Sequence, residues 1–193
     1  MKNKRDQKKQ TILAVAQKFF SRFGFNKTTM DEIAKAARMG KATLYHYFRD
    51  KEQLFYEVVR NEAKTMQDAI ANDIQDITDP KERLRVYMTV RIEYLNKFAI
   101  AYSALRDEYL EYLPSIKKFR ADFIAYEMRV LTSIFQDGVD KKIFSIINIH
   151  EIVKIFIITL RGIEISLIAD SGLSIDKQQI DLLTNMMLFG ICK

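Results

Sequence analysis

A single cysteine, Cys192, stands in a chain of 193 residues. That excludes an internal disulfide framework or a thiolate-bound cluster. Histidine is almost as scarce: His46 and His150 are the only imidazole bases, and no Cys/His set has metal-ligand spacing. No G-x-x-x-x-G-K-[ST], H-E-x-x-H or G-x-S-x-G run occurs, and MGKAT (Met39–Thr43) lacks the upstream glycine of a phosphate-binding loop. No catalytic residue, metal or cofactor is therefore expected. No long hydrophobic run occurs either. The most apolar stretch, Ile155–Ala169, is broken by Arg161 and Glu164, which argues against a membrane span. The basic opening MKNKRDQKKQ is not followed by an apolar secretory region, so a cytoplasmic location is expected. Proline and glycine are few, at 2 and 6 residues, and alternating strand patterns are rare. Helical periodicity is what remains.

What is present is a lopsided charge. Residues 1–51 hold 13 Lys/Arg against 4 Asp/Glu, net +9, while the rest holds 18 against 21, net −3, within an overall +6. Such asymmetry points to a polyanionic partner for the basic segment, or to a merely solvated basic tail.

Patterning decides between them. Ile12, Leu13, Ala16, Phe19, Phe20 and Phe23 form one stripe of a first helix that should stop at Gly24. Thr29 followed by Glu32 is a capping box opening a second helix near Met30. After Arg38-Met39-Gly40, a short third helix runs from Lys41 to Phe48, with Leu44 and Phe48 on its inner face. Asp50 and Gln53 open a long fourth helix striped by Leu54, Phe55, Val58, Val59, Met66, Ile70 and Ile74. Further helices are expected at 80–99, 102–112, 114–138, 148–170 and 176–191. The fold class is thus all-α, about nine helices. Residues 1–51 form a small basic unit, the fourth helix (about 51–75) connects, and 76–193 form a larger helical domain.

Two short helices joined by a tight turn make a helix-turn-helix, whose second helix can enter the major groove of DNA. Lys41, Ala42, Thr43, Tyr45, His46 and Tyr47 are left largely outward. A lysine charge, hydroxyls and a small alanine suit phosphates and base edges. Thr28, Thr29 and Lys51 lie at helix N-termini, where free N–H groups favour a phosphate. Any one of these residues alone is more simply read as surface or packing; their coincidence with the capping box, turn and basic bias carries the reading.

The stretch TTMDEIAKAARMGKATLYHYFRDKEQLF resembles the N-terminal signature of the TetR family of bacterial transcriptional regulators, through Thr28, Thr29, Ile33, Ala34, Ala37, Lys41, Thr43, Leu44, Tyr45, Tyr47, Phe48, Lys51, Glu52 and Leu54. The match covers about 50 residues. Arg38 replaces the usual turn glycine, Gly40 the usual serine and Ala42 a common glycine. An arginine where φ > 0 is favoured costs about 1 kcal/mol, unless Gly40 lets the turn redistribute; a phosphate contact by Arg38 is a second reading.

The resemblance implies double-stranded operator DNA as a partner, a homodimer through the last two helices, and a small-molecule effector in the C-terminal helices. The last helix is apolar nearly all round, which independently suggests burial against a second copy; Ile180, Leu183, Met186 and Met187 are its candidate interface residues. Candidates to line the implied cavity are Tyr87, Met88, Tyr94, Phe98, Tyr102, Phe123, Tyr126 and Phe156, with plain core the simpler reading of each. Arg161 and Glu164, i and i+3, read as an internal ion pair, a dimer-interface pair or polar hooks for a ligand, the first two preferred. The expected function is a ligand-responsive repressor. The competing readings are a basic membrane-surface protein, which would insert the first helix's apolar face into lipid, a non-specific nucleic-acid-binding helical protein, and a small helical enzyme.

Overall fold

The computed structural model describes residues 4–102, 114–169 and 173–191, and their side chains apart from 95–102, 115–116 and 167–169. Among the described residues there are eight helices: α1 (Lys4–Lys27), α2 (Met30–Ala36), α3 (Lys41–Tyr47), α4 (Lys51–Ile74), α5 (Pro80–Tyr102), α6 (Pro114–Asp140), α7 (Ile149–Ala169) and α8 (Lys177–Phe189). The all-α class and the helix order are as expected. The helix expected at 102–112, apart from Tyr102 at the end of α5, lies outside the described residues, as do Gly172 and Cys192.

Helix α1 does not run straight. Gly24 adopts φ 82, ψ 168, a region essentially closed to side chains. The chain breaks there and turns Phe25 into the core, where its ring meets those of Phe20 and Phe55. Phe23, expected in the buried stripe, is instead exposed and lies against Phe19 and under Arg22.

The apolar residues gather into two clusters. One joins Ile12, Leu13, Ala16 and Phe20 of α1 to Ile33, Leu44 and Phe48 and to Leu54, Phe55 and Val58 of α4. The other takes Met66, Ile70 and Ile74 from the far half of α4 and packs them with α5, α6, α7 and α8. Helix α4 thus contributes its first half to one cluster and its second half to the other. None of the described helices is long and apolar enough to cross a membrane.

The end of α6 illustrates how tightly the second cluster is closed. The N–H groups of Ile143 and Phe144 donate to the Gly138 carbonyl at 2.9 and 3.0 Å, laying the buried Phe144 ring directly on the Gly138 Cα. A methyl group at Gly138 would overlap that ring, which is already boxed in by Phe135. Gly138→Ala is expected to lower unfolding free energy by about 2 kcal/mol, the usual cost of overpacking, as measured by urea denaturation.

Candidate nucleic-acid interface

The helix-turn-helix is built from local signals. The Thr29 hydroxyl accepts the Glu32 N–H while the Glu32 carboxylate accepts the Thr29 N–H at 2.9 Å, closing the capping box. The hydroxyl also donates to Glu32 Oε2 at 2.6 Å, and these bonds hold the Glu32 carboxyl below its ordinary range. At the other end of α2 the Met39 N–H reaches the Ala34 carbonyl at 2.9 Å and the Arg38 N–H reaches that of Lys35 at 3.1 Å. This is a Schellman ending, and Arg38 occupies its left-handed position with φ 54. Gly40, at φ −67, caps α3 from ordinary extended backbone. The turn is therefore not redistributed: the strain, about 1 kcal/mol relative to glycine, stays on Arg38.

Leu44 and Phe48 are buried, fixing α3 to the N-terminal cluster. Lys41, Ala42, Tyr45 and His46 are exposed; Thr43 and Tyr47 are half-buried, and the Tyr47 ring sits edge-on to His46, 5.7 Å between centroids. These six residues form one surface. Lys41 does not stand free in it: its ammonium donates to Asp31 Oδ2 at 2.9 Å, and that bond and charge hold its pKa above the ordinary range. A phosphate approaching Lys41 competes with Asp31. Nothing in the spacing of Asp31 and Lys41 announces this pair, because the Schellman turn alone brings the two helix starts together.

Two expected contacts are corrected. Thr28 is fully buried, and its hydroxyl donates to the carbonyls of Gly24 at 2.7 Å and Phe19 at 3.3 Å. It fastens the α1 kink and has no surface to offer. Lys51 turns its ammonium inward onto the carbonyls of Phe25 (2.8 Å), Thr28 (3.0 Å) and Asn26 (3.4 Å), over the Phe25 ring. It satisfies the orphan carbonyls at the end of α1, and partial burial lowers its pKa. Both residues brace the segment between α1 and α2 from inside.

In the C-terminal helices, Tyr87, Met88 and Phe156 are buried in the second cluster; Tyr94 and Phe123 are half-buried against it, and the half-buried Tyr126 donates its hydroxyl to the Gln67 carbonyl of α4 at 3.2 Å. The side chains of Phe98 and Tyr102 lie outside the described residues. Tyr87 and Arg91, one turn apart on α5, both donate to Glu127 of α6, the tyrosine at 3.0 Å. Glu164 of α7 faces Arg91 at 3.6 Å while Arg161 is exposed. The expected Arg161–Glu164 pair is thereby replaced by one between helices. Ile180, expected at a dimer interface, is instead core; Leu183 and Met187 are half-buried against that core, and Met186 is 67% exposed. Among the described residues no group of three His, Cys, Asp or Glu side chains comes together to hold a metal ion.

The helix-turn-helix segment is matched by the sequence model "Bacterial regulatory proteins, tetR family" over residues 12–58. An uncharacterized HTH-type transcriptional regulator of Bacillus subtilis, YhgD, is 46% identical over 59 residues, which is 31% of each chain. The chain spans between 31% and 55% of the length of the first curated relatives it matches. Among solved structures, a transcriptional regulator from Cytophaga hutchinsonii superposes with a TM-score of 0.79 at 28% identity, covering 95% of this chain and 98% of that one. A transcriptional regulator from Saccharomonospora viridis shares the fold with a TM-score of 0.79 at 16% identity, covering 97% and 99%. Residues 12–58 are thus similar to the tetR family of bacterial regulatory proteins, and the chain as a whole shares the fold of solved transcriptional regulators.

Proposed function

We propose that the protein is a dimeric, ligand-responsive transcriptional regulator that binds operator DNA through α3 and is released from it by a small apolar or amphipathic effector, acting as a repressor. The observation that carries the DNA-binding part is the exposed face of Lys41, Ala42, Tyr45 and His46 on a helix anchored by Leu44 and Phe48, in the +9 segment. Thr43 and Tyr47 flank that face, and Thr29, exposed at the start of α2, remains available to a phosphate. It acts in the cytoplasm, beside the DNA it reads, and performs no catalysis.

Two further observations support the rest. Ile155, Ile158 and Ile165 on α7 and Leu182, Met186 and Phe189 on α8 are exposed, the last at 90%; a second copy covering them would pair two recognition helices on one DNA face. The effector would sit among the half-buried Tyr94, Phe123 and Tyr126 of α5 and α6. The Saccharomonospora viridis regulator of the same fold was solved in complex with choline. A ligand there biases α4, which both clusters share, and the shift it causes is limited by its differential affinity for the two states.

The test is a titration with duplex DNA from upstream of the protein's own gene against a scrambled duplex. Wild type should prefer the former, and Tyr45→Ala, on an exposed position, should fold normally and lose that preference by roughly tenfold or more. Equal binding to both duplexes by wild type overturns the reading. Sedimentation at micromolar concentration should give a dimer; a monomer removes the paired-helix geometry.

A further inference from the structure

Arg38 is one of two non-glycine residues that the described chain holds in the left-handed region, Lys142 being the other. The arginine holds φ 54 in a Schellman turn where glycine would be at ease. Its backbone is pinned on both sides: Ala37 N–H bonds to Ile33 at 2.8 Å, and Met39, half-buried in the N-terminal cluster, bonds back to Ala34. The side chain is exposed and makes no hydrogen bond or ion pair among the described residues. Three cations flanking α3 are engaged, Lys41 by Asp31, Lys51 by the carbonyls of Phe25 and Thr28 and Arg49 by Asp50 at 2.8 Å, whereas Lys35 of α2, like Arg38, makes no side-chain hydrogen bond or ion pair among the described residues. A free guanidinium on a rigid, strained stalk is thus left at the turn between α2 and α3.

Strained backbone persists where the surrounding structure enforces it, and it clusters at working positions. In a helix-turn-helix the first helix crosses the DNA backbone and the second enters the groove, so the turn between them passes along phosphates. A guanidinium offers a planar fork of donors that matches a phosphate two bonds at a time. We propose that Arg38 is a phosphate-anchoring residue, and that in this protein the turn takes over the anchoring for which Lys41 and Lys51 are no longer free. The proposal rests on the DNA-binding reading above. It assigns Arg38 to positioning the protein on the duplex, leaving base discrimination to Tyr45 and His46.

The test uses the full chain and a short duplex recovered by the wild-type protein from a random-sequence pool, with a scrambled duplex beside it, across a range of salt concentrations. Arg38→Gly removes the charge and relieves the backbone, so its melting temperature should be unchanged or higher. Its affinity at low salt should fall roughly tenfold, equally on both duplexes. The slope of log K on log salt should shrink by about 0.9 per protomer. Arg38→Lys should keep the wild-type slope. If Arg38→Gly keeps the wild-type affinity and slope, or weakens only the selected duplex, Arg38 is not a phosphate anchor. If the wild-type protein itself recovers no duplex, the DNA-binding reading fails and this proposal with it.

Discussion

Glu127→Ala should be the most damaging of the single substitutions considered, lowering unfolding free energy by about 3–5 kcal/mol. The Arg91 side chain is only 3% exposed and that of Glu127 1%. Arg91 and Tyr87 are i and i+4 on α5, so a single carboxylate on α6 receives both. Burial by itself disfavours the charged guanidinium; Glu127 first and Glu164 second more than reverse this, so its pKa ends above the ordinary range. Burial likewise pushes the Tyr87 phenol well up, so it stays protonated and donates. Without Glu127 the arginine keeps, among the described residues, Glu164 at 3.6 Å and the face of Phe123 at 5.1 Å, and a buried charge is left almost uncompensated. Replacing both partners together, Arg91→Met with Glu127→Leu, removes the desolvated charges and should recover most of the loss. Urea denaturation of the two variants checks this. A Glu127→Ala loss below about 1 kcal/mol would mean that the pair is solvated in a way its burial contradicts.

The contrast between this pair and the helix-turn-helix explains what could be read in advance. Thr29 with Glu32, Asp50 with Gln53, and Leu44 with Phe48 act across three or four residues, within the reach of a single turn of helix. Their pattern in the chain is their geometry. Arg91 and Glu127 are 36 positions apart, and Lys51 reaches carbonyls 23 to 26 positions back; only the packing of whole helices brings such groups together. The pairing of Arg161 with Glu164 failed for the same reason, since a buried arginine on another helix outcompetes a neighbour that water already solvates. Helix α8 shows a different limit. Its apolar residues nearly encircle it, so composition marks it for burial without saying which side faces its own domain. Packing puts Ile180 and Leu188 inward and leaves Leu182, Met186 and Phe189 outside.

Glu62 is where the two apolar clusters meet, and it ties their stability to pH. It lies on α4 between Val58 of one cluster and Met66 of the other, 7% exposed. The Gln17 side chain of α1 donates to its Oε1, while Oε2 has no hydrogen-bond partner among the described residues. Burial pushes its carboxyl up to about 7, against an ordinary 4.5, and the Gln17 bond only partly opposes this. The folded protein therefore holds a proton that the unfolded chain has released between about pH 4.5 and 7, so unfolding releases a proton in that window. Stability from this group is complete below the unfolded value, falls as pH rises through the window and is gone above about 7. At 1.36 kcal/mol per pKa unit the total is about 3 kcal/mol. Glu62→Gln keeps the shape and an acceptor for Gln17 but cannot ionise. It should match the wild type near pH 4 and exceed it by about 3 kcal/mol near pH 8, and urea titrations of both proteins across that range would read the gap directly. A gap that stays constant with pH would show that Glu62 ionises in the folded state as freely as in the unfolded one, and that the seam between the clusters is open to water.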